Sequence, residues 1–515
     1  MAASQLKKSK DKMVLRKLGI NETYQLAMYL LDQYRSTTLS CRYVIPPRLA
    51  LSESRLQLDA AVKSALVDTL LKHPMLQVAI IDATAKTPSW TQLQNLDLAQ
   101  HVEWLYLEAH TDFEQTVQDA FRLQLDQRFP DFSIRQPGWK ITIIRQGDAP
   151  IMEVLLTWNH PHFDGAGARV VHEDFLQMLN HAHENKVSER PGLDGDIFTL
   201  PQGALMLPTP IESLRDLPVD LKHLAKALWE DSRPQFLNRD VSYATWCPIK
   251  SYPYKTQYRA FFLDNTLLLT ILARCRQHKT TITALLNALA LVTFSSRLDS
   301  TAAPAFQSST IVDHRRNLPQ SPSDAPWGSS DRVVGNYVAL IRSKVPPTHT
   351  EKGEGGDLSA DMIHELWAVA AENRQEIVHK LEDPLRNDIV GLFKYVTDWQ
   401  GTMRSMAKKK RQFTGLVTNI GVLDGGDGSG GNISRDRDAK TNTDTDDGGQ
   451  RKWSIRRAQF GLSAEIPAAA IEFALVTVSR HGMCVSANWA DCAVDVRLGE
   501  GIMADLERWL VQLAR

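Results

Sequence analysis

The segment Asn159-His160-Pro161-His162-Phe163-Asp164-Gly165 brings two imidazoles, a carboxylate and a glycine into one short stretch. An alcohol is a poor nucleophile, and its proton must leave as a new C–O bond forms. A neutral imidazole, with a reference pKa of ~6.5, is suited to take that proton at neutral pH. His160 stands at the exit of an expected strand and is the candidate base. Asp164 can orient the loop by pairing with an arginine, and Gly165 opens an expected helix. A second reading is open: Asp164 is an ordinary N-cap of that helix and His160 a plain loop residue.

A third reading uses the same letters. His160, His162 and Asp164 have the spacing of the metal-binding loop of metallo-β-lactamase-like hydrolases, where two imidazoles and a carboxylate bind zinc. That loop needs a histidine where Gly165 stands. Its further ligands would have to come from His181, His183 or His223, on stretches that read as helix or connection. No serine or cysteine is evidently paired with a histidine, so nothing points to an acyl-enzyme.

The elements around the motif can be read from periodicity. Residues 139–145 and 151–158 read as paired strands joined at Gly147-Asp148, and the motif follows the second directly. A helix is expected from Gly165 towards Leu179. Upstream, helices are expected over 21–35, 59–73 and 111–127, with strands at 39–45 and 76–81. In the 59–73 helix, Val62, Leu66 and Leu70 share a face and Pro74 ends the run. Downstream, 257–263 reads as a strand, 265–276 and 282–297 as helices, and a further strand ends at Ile311-Val312-Asp313. Residues 335–345 and 413–423 read as strands, and 363–381 as a helix. A hairpin, Ile471 to Val478 and Met483 to Trp489, turns at Arg480-His481-Gly482, before a terminal helix with Leu506, Trp509, Leu510 and Leu513.

The chain has 515 residues. Single cores stop growing near ~250–300 residues, so two units are expected. Helices and strands recur in broadly similar order in each half. This favours an α+β fold of two related lobes over one doubly wound parallel sheet. The expected ranges are 1–215 for the first lobe, 216–255 for the connection and 256–515 for the second lobe. Residues 424–452 are Gly, Asp, Asn, Ser, Thr and charges, without an aromatic, and read as a disordered insertion. Residues 346–361 are a shorter loop of the same kind.

Apolar residues make up 43% and charged residues 23%, and the formal net charge is −1. No global basic field exists to hold nucleic acid, so phosphates of a coenzyme must be met locally. The five cysteines are scattered and odd in number, which speaks against a disulfide framework and a cysteine-built zinc site. The basic start MAASQLKKSKDK lacks the apolar core of a signal peptide. The longest apolar run, Ile282 to Phe294, is interrupted by Thr283, Asn287 and Thr293 and falls short of the ~20 residues a membrane span needs. A cytoplasmic chain without a membrane span is expected.

The motif resembles the active-site loop of the large acyltransferase superfamily that includes chloramphenicol acetyltransferase, plant acyltransferases, alcohol acetyltransferases and peptide-synthetase condensation domains. Further similarities follow in order. His73-Pro74-Met75-Leu76 is similar to the early "HPxL" segment, and Gln136-Pro137-Gly138-Trp139 to the segment before the motif strand. Asp313-His314-Arg315-Arg316 resembles the "DxR" segment. Gly335-Asn336-Tyr337 and Thr418-Asn419-Ile420-Gly421 resemble the later "GN" and "SNxG" strands. Within the superfamily the wording is most similar to fungal trichothecene 15-O-acetyltransferases, chiefly in KLGINETYQLAMYLLDQYRSTTLSCRYVIPP, NHPHFDGAG and AAAIEFALVTVSRHGMCVSANW.

The resemblance implies two chloramphenicol-acetyltransferase-like lobes, each a largely antiparallel or mixed sheet flanked by helices, with a tunnel between them. It implies acetyl transfer from acetyl-coenzyme A, as co-substrate, to the C-15 hydroxyl of a trichothecene sesquiterpenoid. His160 would be the base, Asp164 its structural support through Arg315, and Gly165 the third motif position. No permanently bound cofactor and no metal are implied, and a monomer is expected. Ser463 is a candidate oxyanion donor. Two departures stand out. Condensation domains carry two adjacent histidines where this chain has Asn159-His160, and the plant "DFGWG" segment is replaced near Gln459-Phe460-Gly461. An acyltransferase fold kept only as a binding module is the non-enzymatic alternative.

Overall fold

The computed structural model describes residues 14–132, 134–184, 190–234, 240–250, 253–345, 356–426 and 452–515. Most of the insertion expected at 424–452, and residues 346–355 of the shorter loop, lie outside the described residues. Two sheets carry the architecture. Their strands are β1 (Thr37–Val44), β2 (Val102–Leu107), β3 (Trp139–Gln146), β4 (Ile151–Trp158), β5 (Thr256–Asp264), β6 (Phe306–Asp313), β7 (Val338–Val345), β8 (Gly415–Leu423), β9 (Ser454–Leu462), β10 (Ile471–Val478) and β11 (Gly482–Ala490). The first sheet has the order β9-β1-β4-β3-β2 and the second β5-β11-β10-β8-β6-β7. Each is mixed: β2 runs parallel to β3, and β8 parallel to β6 and β10, while the remaining pairs are antiparallel.

The helices that cover these sheets include α1 (Ile20–Leu30), α2 (Arg55–Lys72), α3 (Gly165–Glu184), α4 (Ile282–Arg297), α5 (Ala360–Glu382) and α6 (Val496–Ala514). The expected α+β fold is thus observed, with sheets flanked by helices. The apolar run read as a buried helix is α4, whose residues from Ala284 to Phe294 are all buried. Among the described residues no helix is long and apolar enough to cross a membrane.

The second sheet is buried on both faces, and the alternation of side chains along a strand decides which residue serves which face. Phe473, Leu475, Val485 and Ala487 join the core that also holds α4, α5 and α6. Their neighbours Ala474, Val476, Val478 and Cys484 join the core of the first sheet. Hydrophobic packing across that interface is what fixes one half of the chain against the other.

Strand β9 runs against the expected lobe ranges. It belongs by sequence to the range 256–515, yet it pairs antiparallel with β1, Phe460 opposite Leu39 and Ala458 opposite Cys41. Ile455, Ala458 and Phe460 sit in the first core. Gly461 marks the squeeze: a Cβ there would lie 2.8 Å from both Phe121 and Tyr258, one on each side of the interface. The expected connection also contains structure, the surface helix Leu221–Ser232, none of whose residues is buried.

Candidate active site

Strand β4 ends at Trp158, and the motif loop is folded tightly back on it. Trp158 Nε1 donates to the Phe163 carbonyl at 2.7 Å, and their rings stack with centroids 5.0 Å apart. The His162 amide donates to Asn159 O at 3.1 Å, and the Asn159 amide to Gly138 O at 2.8 Å. The loop is therefore held by backbone bonds at both ends, and its side chains are fixed by it.

Asp164 faces into the protein and is 1% exposed. Its Oδ1 accepts from Gly167 N at 2.8 Å, the bond of an N-capping aspartate, and from Arg315 Nη2 at 2.8 Å. Its Oδ2 accepts from Arg315 Nη1 at 3.0 Å and from Tyr337 N at 2.9 Å. The cap and the ion-pair readings of Asp164 thus hold together. Burial works against the charge on Arg315, but Asp164 and Asp313 outweigh it and its pKa lies above the ordinary value. Gly165 leaves no room for a side chain, since a Cβ would lie 2.6 Å from Ile420 Cγ2 and 2.9 Å from Phe460 Cζ.

His162 turns away from Asp164 into a slot at Gly138, whose amide donates to His162 Nε2 at 3.2 Å. Trp90 meets the ring edge-on, with centroids 4.8 Å apart. Burial pushes His162 down to about 4, so it is neutral. His160, His162 and Asp164 therefore do not converge as ligands. Among the described residues no group of three or more His, Cys, Asp or Glu is placed to hold a metal ion. His223 lies on the surface helix Leu221–Ser232 and His181 on α3, and the side chain of His183 lies outside the described residues.

His160 is 8% exposed and packs edge-on against Tyr34, with centroids 5.8 Å apart. Asn336 Nδ2 lies 3.3 Å from both the Nδ1 and the backbone carbonyl of His160. Asn336 thus holds His160 at its carbonyl and on the Nδ1 side of the ring. Burial pushes the His160 pKa down and the charge of Asp164 pulls it partly back, so the ring is neutral at neutral pH. Asn336, Gly335 and Tyr337 line a small cavity of about 10 Å³, room for about one water, together with Glu22 and Glu212. Asn336 thus touches both this cavity and the His160 imidazole.

Several residues that position the site were not singled out as site residues by the motif. Arg332 reaches from the second half to α3, donating to Glu173 at 2.8 Å and Asp174 at 2.6 Å. Asp174 also takes His73 Nε2 at 2.8 Å and Lys72 Nζ at 3.0 Å. The "HPxL" histidine is thus a tie between the end of α2 and α3. Helix α3 is gripped twice, at its start by Arg315 and a few turns on by Arg332. Ser463, the candidate oxyanion donor, has a different place. It is buried, and its Oγ accepts from Arg35 N at 2.7 Å, which fastens the chain after β9 to the segment before β1.

The chain is 24% identical over 523 residues to a probable alcohol acetyltransferase, FCK4 of Fusarium pseudograminearum, covering 97% of this chain and 95% of that protein. It is 19% identical over 507 residues to the probable alcohol acetyltransferase crmB of Aspergillus fumigatus, covering 95% and 99%. Its fold is similar to that of the TRI3 trichothecene 15-O-acetyltransferase of Fusarium sporotrichioides, with a TM-score of 0.66 at 12% identity over 97% of this chain and 94% of that one. The family model described as alcohol acetyltransferase matches residues 100–427, more than half of the chain, and the protein belongs to that family.

Proposed function

We propose that this enzyme transfers the acetyl group of acetyl-coenzyme A to a hydroxyl of a small terpenoid alcohol, the C-15 hydroxyl of a trichothecene being the specific candidate. One observation carries the reaction class: a buried, neutral His160 with its Nδ1 side tied down and a cavity at its Asn336 neighbour. The acceptor is supported by the sequence resemblance and by the activity named for the TRI3 enzyme. Acetyl-coenzyme A is the acetyl donor in this reading, and the chain works as a cytoplasmic monomer.

His160 Nε2 takes the proton of the acceptor hydroxyl as its oxygen attacks the thioester carbonyl. The tetrahedral intermediate collapses and expels the coenzyme thiolate, which the imidazolium then protonates. Both reactants meet in a passage between the lobes, which removes much of the entropic barrier of a two-substrate reaction. Asp164 and Arg315 keep the loop and α3 in place and do not touch the reacting atoms. The test is to incubate the enzyme with acetyl-coenzyme A and a trichothecene bearing a free C-15 hydroxyl. Thiol release and an acceptor one acetyl group heavier are expected. Acetylation of simple alcohols but not of the trichothecene removes the acceptor, and no thiol release with any alcohol removes the reaction.

A further inference from the structure

The surface helix Leu221–Ser232 has its apolar side turned away from the protein. Leu221, Ala225, Leu228 and Trp229 are spaced so that they share one face of a helix. A surface helix ordinarily lays such a face on the core. Here Leu221 is 84%, Leu228 56% and Trp229 59% exposed. The half-buried positions are His223, Leu224, Ala227 and Glu230, so the helix rests on the protein by its other side. Single exposed apolar residues are ordinary, but three large ones on one face call for a partner.

The surroundings of this face are basic. Lys222 and Lys226 lie on the helix itself and are both exposed. Just before the helix, Arg386 Nη2 donates to Asp220 Oδ1 at 2.6 Å, and Lys380 Nζ donates to the Arg386 carbonyl at 2.6 Å. At the other end Lys409 Nζ donates to the Asp231 carbonyl at 2.8 Å and also to its carboxylate, which brings the run Lys408-Lys409-Lys410 there. The acidic groups are engaged or turned inward. Asp220 is held by Arg386 and Asp231 by Lys409, and Glu230 lies on the half-buried side with Lys226 at 3.9 Å. Cations therefore stand at both ends and along one flank of an apolar strip about 18 Å long.

We propose that the face of Leu221, Leu228 and Trp229, with the lysines around it, docks the protein on an anionic lipid bilayer. The helix lies along the surface, its leucines below the headgroups and its lysines among the lipid phosphates. Trp229 follows Lys226 by three positions and Lys222 by seven, so it stands beside both, at the border where an amphipathic ring meets the headgroups. A second copy of the chain fits this face less well. Pairing the helix with itself sets its lysine flank against the same lysines. Docking does not depend on the chemistry at His160, so the test needs no substrate.

The test is co-sedimentation of the whole protein with vesicles of phosphatidylcholine, alone or with about 30% phosphatidylserine. Binding to the anionic vesicles is expected to be at least about tenfold tighter and to weaken as salt is raised to about 0.5 M. The double variant Leu228→Gln, Trp229→Gln should lose at least about tenfold in affinity for them. The double variant Lys222→Gln, Lys226→Gln should lose most of the preference for anionic over neutral vesicles. All four side chains are exposed, so both variants should keep the native melting transition. Sedimentation equilibrium without lipid accompanies these measurements. Absent binding, equal binding to both vesicle types, or affinity unchanged in the Leu228/Trp229 variant overturns the proposal. So does a concentration-dependent dimer that this variant abolishes, which would give the face to a second copy.

Discussion

Arg315 holds Asp164 with both ends of its guanidinium, Nη1 on Oδ2 at 3.0 Å and Nη2 on Oδ1 at 2.8 Å, across 151 positions of sequence. The aspartate begins the helix behind the candidate base, and the arginine comes from the other half of the chain. The pair is 1% and 4% exposed. Removing one partner strands a charge in a medium that cannot solvate it. Arg315→Ala and Asp164→Ala are each expected to lose about 3–5 kcal/mol of stability in denaturant unfolding, with activity falling alongside. A loss below about 1 kcal/mol in both would contradict a structural pair.

Asn336 is a positioning residue, acting on His160 through its carbonyl and Nδ1 side. Losing one such bond is worth about 1.4 kcal/mol, or about tenfold in rate. Asn336→Ala should lower kcat about tenfold with KM for the acceptor little changed. A KM increase with kcat intact would place Asn336 in acceptor binding instead.

The same burial sets the pH dependence of turnover. Because His160 lies below its ordinary pKa, the base form persists into mild acid. The acid limb of kcat/KM should have its midpoint below ~6.5, the value of a free imidazole. A midpoint above that value would mean that a stabilised imidazolium, not a neutral base, stands in the site.

Stability should fall in acid for a related reason. His162 and His172 are each pushed by burial down to about 4, and His172 is held between Tyr43 Oη at 2.9 Å and the Leu39 carbonyl at 3.1 Å. The unfolded chain takes up these protons below pH ~6.5, whereas the folded chain does so only near 4. Their contribution is complete above pH ~6.5 and is lost as the pH falls through that window, on the order of 3 kcal/mol for each fully buried ring. Melting temperature should drop between pH 7 and 4.5, and His162→Leu should make the drop shallower. An equally steep drop in the variant would remove His162 from this account.

Much of the fold is legible in the sequence where a residue's neighbours decide its structure. The runs Val62, Leu66, Leu70 and Ile282 to Phe294 announce α2 and α4, and short apolar runs bounded by turn residues announce β3, β4, β10 and β11. Strand β9 could not be assigned in this way. Its residues Ser454-Ile455-Arg456-Arg457 carry weak alternation, and its partner β1 lies some four hundred positions earlier, so only the tertiary fold reveals the pairing. The motif names His160, Asp164 and Gly165, and the resemblance names Arg315. The Arg332 clamp depends on contacts between halves that no local spacing encodes.

The central claim is that His160 removes the acceptor's proton. The direct measurement is thiol release from acetyl-coenzyme A by native and His160→Ala enzyme with the same acceptor, beside their melting curves. Loss of the base is expected to lower kcat by about 10²–10⁴-fold while the melting transition is kept. A folded His160→Ala enzyme that retains most of the native rate would contradict the claim outright.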